Sequence, residues 1–376
     1  MKPLARRTLA ALLLIAGYDH SALGMPSFNE VKADFRPSDT LILDRHGEIL
    51  QRQRTDVTVR RGQWVALADV SPALRTALVL SEDRRFYEHS GVDWRAVSSA
   101  AWGNLWNTRT RGASTLTMQL AGLLDAPDAT FSLRAGPGGR SVAQKLGQAV
   151  TATQLETRWR KDQILESYLN LVPFRGEIVG IDALARTLFG KAAHGLDARE
   201  AAVAAALVRA PNAAPARVAQ RACGALRAMN PAPATPPAIQ KAAPPVSAPP
   251  ARSPAADCDG LDLFVTGALQ RRAWPASEGI APHLARRLLA TGGTTAPTRV
   301  SATLDASLQR FALQTLQRHL RELRGRHVED GAVVVLDNAS GEVLAWVGSS
   351  GELSDAAEVD GVLAPRQPGS TLKPFL

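Results

Sequence analysis

The densest run of reactive side chains is SEDRRFYEHSGVD, Ser81 to Asp93. Read as a helix, it puts Glu82, Arg85, Phe86 and His89 at i, i+3, i+4 and i+7, on one face. That face would carry a carboxylate, a guanidinium, an aromatic ring and an imidazole. The apolar run ALVL leads directly into Ser81 and Glu82, and a carboxylate at the edge of an apolar wall can serve as a general base. A solvated helix end explains the same residues, with charge pairs contributing about 0.2–0.5 kcal/mol each. A second cluster is RGASTLTMQLAGLL, Arg111 to Leu124. Gly112 and Ser114 mark a turn and a helix cap, and Thr115 and Gln119 then share a face. Hydroxyls, an amide and free N–H groups at a helix start suit an anion such as phosphate, although an ordinary capped helix would look alike. In RWRKDQILESYLNLVPFRG, the basic residues Arg158, Arg160, Lys161 and Arg175 bracket an amphipathic helix. Its buried stripe is Ile164, Leu165, Tyr168 and Leu169. Near the other end, Ser370 and Lys373 have S-x-x-K spacing, on a Pro-Gly turn that runs into a helix start.

The elements that must position these groups are mostly helical. Residues 36–66 read as short strands with turns, as in TLILDRHGEIL. From Leu67 to Arg227 apolar residues recur at helical spacing, and Asp197 with Glu200 has the pattern of a capping box. Nine prolines fall between Pro231 and Pro254, which predicts a disordered linker over 228–258. Helices are expected at His283–Ala290 and Ala306–Arg324. GAVVVLDNASGEVLAWVGS reads as a hairpin around Asn-Ala-Ser-Gly.

The chain has 376 residues, a formal charge of +9 and a pI near 10.1. Such a surface calls for an anionic partner: nucleic acid, a membrane surface or a phosphorylated substrate. No nucleic-acid motif is present, which argues against the first. Residues 1–25 open with Lys2, Arg6 and Arg7, followed by an apolar run from Leu9 to Ala16. The run is short of the about 20 residues of a membrane span. It fits a signal peptide with Ala22-Leu23-Gly24 as a cleavage-like site, or a signal-anchor, against a buried helix as the bland reading. Export would put the rest of the chain outside the cytoplasm. There, Cys223 and Cys258 could pair across the linker or remain two thiols. No Cys/His spacing suits zinc.

In order and spacing, E-D-R-R-F-Y-E-H-S-G, G-A-S-T-L-T-M-Q-L and R-K-D-Q-I-L-E-S-Y-L-N resemble the glycosyltransferase family 51 domain. These are the peptidoglycan polymerases of bifunctional penicillin-binding proteins. The likeness covers roughly residues 40–225 and continues through Gly180, Phe189-Gly190-Lys191 and APNAAP. APHLARRLL, TLDASLQ, AVVVLDNASGEVLAWVGS and APRQPGSTLKPFL look like the 1C-type branch, up to the start of its transpeptidase domain.

The resemblance implies a mainly α, lysozyme-like glycosyltransferase domain over 36–227 and the start of an α/β transpeptidase domain over 283–376. It implies Glu82 as catalytic base and Gln148 at the position of a second catalytic carboxylate. Asp83, Arg85, Phe86, His89, Ser114, Thr115, Thr117, Gln119, Lys161 and Glu166 would bind substrate. That substrate would be lipid II together with the nascent glycan strand, at the periplasmic face of the inner membrane, alongside other cell wall synthesis proteins. No nucleic acid is expected. The resemblance fixes no cofactor, and a divalent cation is the one candidate. The sequence departs from the family pattern twice. Gln148 stands where a Glu is usual, thirteen residues before Lys161. Gly122 stands where a basic residue usually follows M-Q-L-A, leaving Arg85 or Arg111 to replace that cation. Ser370 and Lys373 would be the transpeptidase nucleophile and its activator. No S-x-N or K-T-G motif follows them, so that site is expected to be incomplete and inactive. A catalytically weak, lipid II-binding or scaffold protein of the cell envelope is the alternative reading.

Overall fold

Apolar stripes at helical spacing can be buried only against one another, and among the described residues most of them gather in two larger cores, with two small clusters besides. The computed structural model describes residues 25–95, 114–125, 142–230, 258–270, 275–290 and 297–367. Helix α1 (Phe28–Asp34) comes first, with Ser27 and Glu30 forming a capping box. Strands β1 (Asp39–Leu43), β2 (Ile49–Arg54) and β3 (Arg60–Arg61) follow. Then come α2 (Pro72–Glu82), α3 (Leu116–Leu124), α4 (Val142–Arg158) and α5 (Lys161–Leu171). A short β4 (Ile178–Val179) and α6 (Ile181–Leu184) lead to α7 (Ala198–Arg209) and α8 (Pro215–Met229).

The first core gathers side chains from Leu67 to Ala268. At its centre is α7, where every residue from Ala201 to Leu207 is buried. Five of those seven are alanines, so α2 and α8 can pack close on either side. The Asp197–Glu200 capping box forms as expected, with Lys191 paired to the same glutamate at 2.9 Å. Ile164, Leu165, Tyr168 and Leu169 of α5 face this core with at most 1% exposure, so the predicted stripe is the buried one.

Two boundaries differ from the sequence reading. Helix α9 (Leu261–Gln270) follows the proline-rich stretch, yet it packs into the first core through Leu261, Val265 and Ala268, and Phe264 stacks on Phe189. The first unit therefore extends beyond residue 227. In the other direction, β1 and β2 leave it. They form a four-stranded sheet in the order β5-β2-β1-β6 with β5 (Ser277–Gly279) and β6 (Arg299–Ser301). β1 pairs antiparallel with β2 and parallel with β6. Ile42 and Leu50 from this sheet bury against Leu284, Ala285 and Leu304 in a second core. Pairing across more than two hundred residues leaves no local pattern in the sequence.

Helices α10 (Pro282–Ala290) and α11 (Ala306–Glu322) fall where the spacing predicts them. So does the hairpin of β7 (Val333–Leu336) and β8 (Val343–Val347), with Val333 opposite Val347. Cys223 of α8 and Cys258, just before α9, form a disulfide. Of the segments read from sequence, 1–24, 231–257 and 368–376 lie outside the described residues, and with them Ser370 and Lys373; so do Arg111 and Gly112. Among the described residues, no helix is long and apolar enough to cross a membrane.

Candidate active site

Helix α2 opens with Pro72 in its first turn, where a missing N–H costs nothing, and buries Leu74, Ala77 and Leu78. This fixes its last residue, Glu82. The expected helix face of Glu82, Arg85, Phe86 and His89 does not form, because α2 stops there. Asp83 leaves helical geometry at φ −156° and ψ 78°, and the chain turns through the following residues. The reason lies in Asp83 itself. Its buried carboxylate accepts a hydrogen bond from the Leu116 N–H at the start of α3, at 3.1 Å, and two contacts of 3.0 Å from His89 Nε2. Asp83 thus ties the end of α2 to the start of α3, and His89 holds Asp83.

The cap of α3 is Thr115 and not the exposed Ser114. The Thr115 hydroxyl accepts from Met118 N–H at 3.1 Å and donates to the Gly91 carbonyl at 2.5 Å. Gly91 sits at φ +87°, and a Cβ there would lie 2.8 Å from the backbone of Ala152. A glycine is needed for both reasons, and it lets α4 close on this loop.

One turn into α3, Gln119 faces Glu82. Its Nε2 donates to Glu82 Oε2 at 3.3 Å, and its Oε1 accepts from the Tyr168 hydroxyl at 2.7 Å. The Ser81 hydroxyl donates to Glu82 Oε1 at 3.2 Å. Because Tyr168 supplies a donor to Gln119 Oε1, the amide must present its NH₂ to the carboxylate. Tyr168 is fully buried. Burial, and then the negative charge of Glu82, hold its phenol well above its ordinary value, so it stays a donor. One buried side chain, Tyr168, and two half-buried ones, Gln119 and Ser81, thereby orient from three helices a carboxylate that is itself half-buried.

Around this line lies a charged layer. Lys161 Nζ donates to Glu156 Oε1 at 2.7 Å and sits 4.5 Å from the centre of the Phe86 ring. The Thr117 hydroxyl donates to the same Glu156 oxygen at 2.6 Å. Arg85 pairs with Asp93, with Nε donating to Oδ2 at 3.1 Å. Phe86 is completely buried, so it forms the floor under Lys161.

The structure therefore brings Glu82, Asp83, Phe86, His89, Thr115, Thr117, Gln119 and Lys161 into one linked cluster. Glu166 has partners of another kind. Its carboxylate accepts from Trp64 Nε1 at 2.7 Å and Leu67 N–H at 2.8 Å, and it pairs with Lys32 at 3.4 Å. It anchors the segment before α2, and among the described residues no hydrogen bond joins it to the Glu82 cluster. Gln148 of α4 is half-buried and lies against Gly122 of α3.

Three members of the site escape the sequence reading. Glu156 lies five residues before Lys161 with a helix break between them, so no helical spacing connects the pair. Asp93 closes a turn, and Tyr168 reads as an ordinary core residue. The donor set does not suit a divalent cation, the candidate raised from the sequence. Glu156 is committed to Lys161 and Thr117, Gln148 is a neutral amide, and among the described residues no group of three metal-ligating side chains converges.

A family model described as transglycosylase matches residues 46–230. Penicillin-binding protein 1C of Escherichia coli (strain K12) is 33% identical over 335 residues, which cover 84% of this chain and 37% of that protein. A biosynthetic peptidoglycan transglycosylase of Rhodospirillum centenum is 43% identical over 150 residues, 40% of this chain and 60% of that protein. The chain thus spans between 37% and 60% of the length of these curated relatives. Among solved structures, penicillin-binding protein 1A from Haemophilus influenzae aligns over 81% of this chain and 32% of its own at 16% identity, with a TM-score of 0.27, too low to bear on the fold.

Proposed function

We propose, from the match of residues 46–230 to the transglycosylase family model, that the chain is a peptidoglycan glycosyltransferase that polymerises lipid II. Glu82 takes the proton from the 4-hydroxyl of the N-acetylglucosamine of lipid II. The freed oxygen attacks the anomeric carbon of the growing strand. The bond from that carbon to undecaprenyl pyrophosphate breaks, and the pyrophosphate leaves with the electron pair. Inversion gives the β-1,4 link. The observation that carries this reading is the Tyr168–Gln119–Glu82 line. An amide locked with its NH₂ toward a carboxylate complements the ionised form that a base needs.

The leaving group needs positive charge close by. Lys161 is suited to this, because an ammonium has three N–H donors and Glu156 takes one of them. Arg85 has five N–H donors, of which Asp93 takes two, so it is a second candidate for this role. The undecaprenyl tail of the substrate is a lipid, so the reaction belongs at a membrane surface, and the basic charge of the chain is consistent with one. We place it at the periplasmic face of the inner membrane, where other cell wall synthesis proteins would be its neighbours. Ser370 and Lys373 have no part in this reaction.

Labelled lipid II incubated with the purified chain tests the proposal. Polymer and free undecaprenyl pyrophosphate are expected. Saturable lipid II binding with no polymer, under conditions where a relative is active, would replace the enzyme with a lipid II-binding envelope protein. Gln148 and Gly122, the two departures from the family pattern, favour that second reading.

A further inference from the structure

Gly122 and Gln148, 26 positions apart in sequence, touch. A Cβ placed on Gly122 would lie 2.7 Å from Gln148 Nε2 and 3.4 Å from its Cδ. The backbone of Gly122 is ordinary α-helix, without a positive φ. No turn therefore requires a glycine there, and a helix interior disfavours one. What the missing side chain provides is room, and the Gln148 amide fills it.

The location matters. Gly122 follows Gln119 by three residues on α3, so the two share a face. Gln119 is the residue whose amide donates to Glu82. The Gln148 amide, carried by α4, is thus brought to the side of α3 that holds the Gln119–Glu82 contact. We propose that Gly122 is a positioning residue for Gln148, and that the two form a single neutral unit at the edge of the site. A cation at 122 and a carboxylate at 148 would form the charged version of the same contact. Either half of that exchange alone leaves one uncompensated charge within one helical turn of Gln119. The inference rests on the reading of this site as a lipid II polymerase.

Gly122→Ala separates positioning from packing. The atom in its way is the far end of a flexible side chain, so the fold survives, while the Gln148 amide must move. Alanine is also the better helix former, so Tm should rise by about 2 °C. The expected result is a gain in Tm with kcat down about threefold and KM unchanged. A variant that is more stable and fully active would overturn the proposal.

A four-member cycle then tests the unit: the parent, Gly122→Lys, Gln148→Glu, and the two together. Each single substitution should lower the polymerisation rate at least tenfold, and the double variant should return to within about threefold of the parent. Independent, multiplying effects would contradict the proposal. The same cycle is read as the Kd for labelled lipid II in a Glu82→Gln background, where turnover is not needed. Failure of the parent to make polymer would sink the polymerase reading alone, while coupling or independence in Kd would still decide the pair.

Discussion

Replacing Tyr168 with phenylalanine deletes one oxygen from a completely buried ring. That oxygen donates to Gln119 Oε1 at 2.7 Å. Without it, the Gln119 carbonyl loses its donor, which costs about 1 kcal/mol of stability because Gln119 is only half-buried. The larger effect is on orientation. Without the hydroxyl, only the Glu82 carboxylate itself favours the NH₂ orientation, and the amide loses the anchor that holds it at this contact. A hydrogen bond to a charged group contributes about 1.5–3 kcal/mol. The observed contact is long at 3.3 Å, so the lower end applies, equivalent to about tenfold in rate. Polymerisation of labelled lipid II at saturating substrate should therefore show kcat about tenfold lower with KM little changed. Gln119→Ala should be no worse when Tyr168→Phe is added, since both act through the same contact. If Tyr168→Phe lowers Tm but leaves kcat within twofold of the parent, the line is structural and the reasoning fails.

The same phenol predicts an alkaline signature. Its folded pKa is raised above the ordinary 10.0, so its contribution to stability is intact below about pH 10. It is lost at up to about 1.4 kcal/mol per pH unit as pH rises further, and urea titrations from pH 9 to 11 should show that extra slope in the parent and not in Tyr168→Phe. Glu156→Ala leaves Lys161 and Thr117 without their shared acceptor. With the Lys161 side chain 20% exposed, the loss should be about 2 kcal/mol, below that of a fully buried pair, and unchanged urea stability would contradict the assignment. Reduction of the Cys223–Cys258 disulfide opens a 35-residue separation. Chain entropy puts this at about 4 kcal/mol, so thermal melts with and without reductant should differ by many degrees, and coincident melts would show that the bridge does not stabilise the core. Asp197→Ala removes the α7 cap and should destabilise by about 1 kcal/mol in the same urea assay, without altering lipid II turnover.

Local chemistry was the legible part. The Asp197–Glu200 cap, the α5 stripe, α11 and the β7–β8 hairpin are each encoded within a few residues of themselves. Glu82, Asp83, His89, Thr115 and Gln119 stand in distinctive runs of the sequence, and the structure brings these runs together. Their arrangement was not legible. A helical face was expected where the chain in fact leaves the helix at Asp83, whose carboxylate finds partners at Leu116 and His89 that helix periodicity cannot foresee. Contacts such as Gln119 with Tyr168 and Thr117 with Glu156 join different helices, so no spacing rule connects them. The sheet was illegible for the same reason: β1 reads as a strand from its own residues, but its parallel partner β6 lies beyond the whole first core. The departures at Gly122 and Gln148 were visible as two separate oddities, and only the packing of α3 on α4 makes them one contact.

The central claim is that Glu82 is the base of a lipid II polymerase. The most direct measurement compares the polymerisation rate of the parent chain with that of Glu82→Gln, which keeps the size and the hydrogen-bonding reach of the side chain and removes its ability to accept the proton. The account predicts polymer from the parent and a loss of at least a hundredfold in the variant, with lipid II binding retained. Equal rates of polymer formation by the two proteins would contradict it.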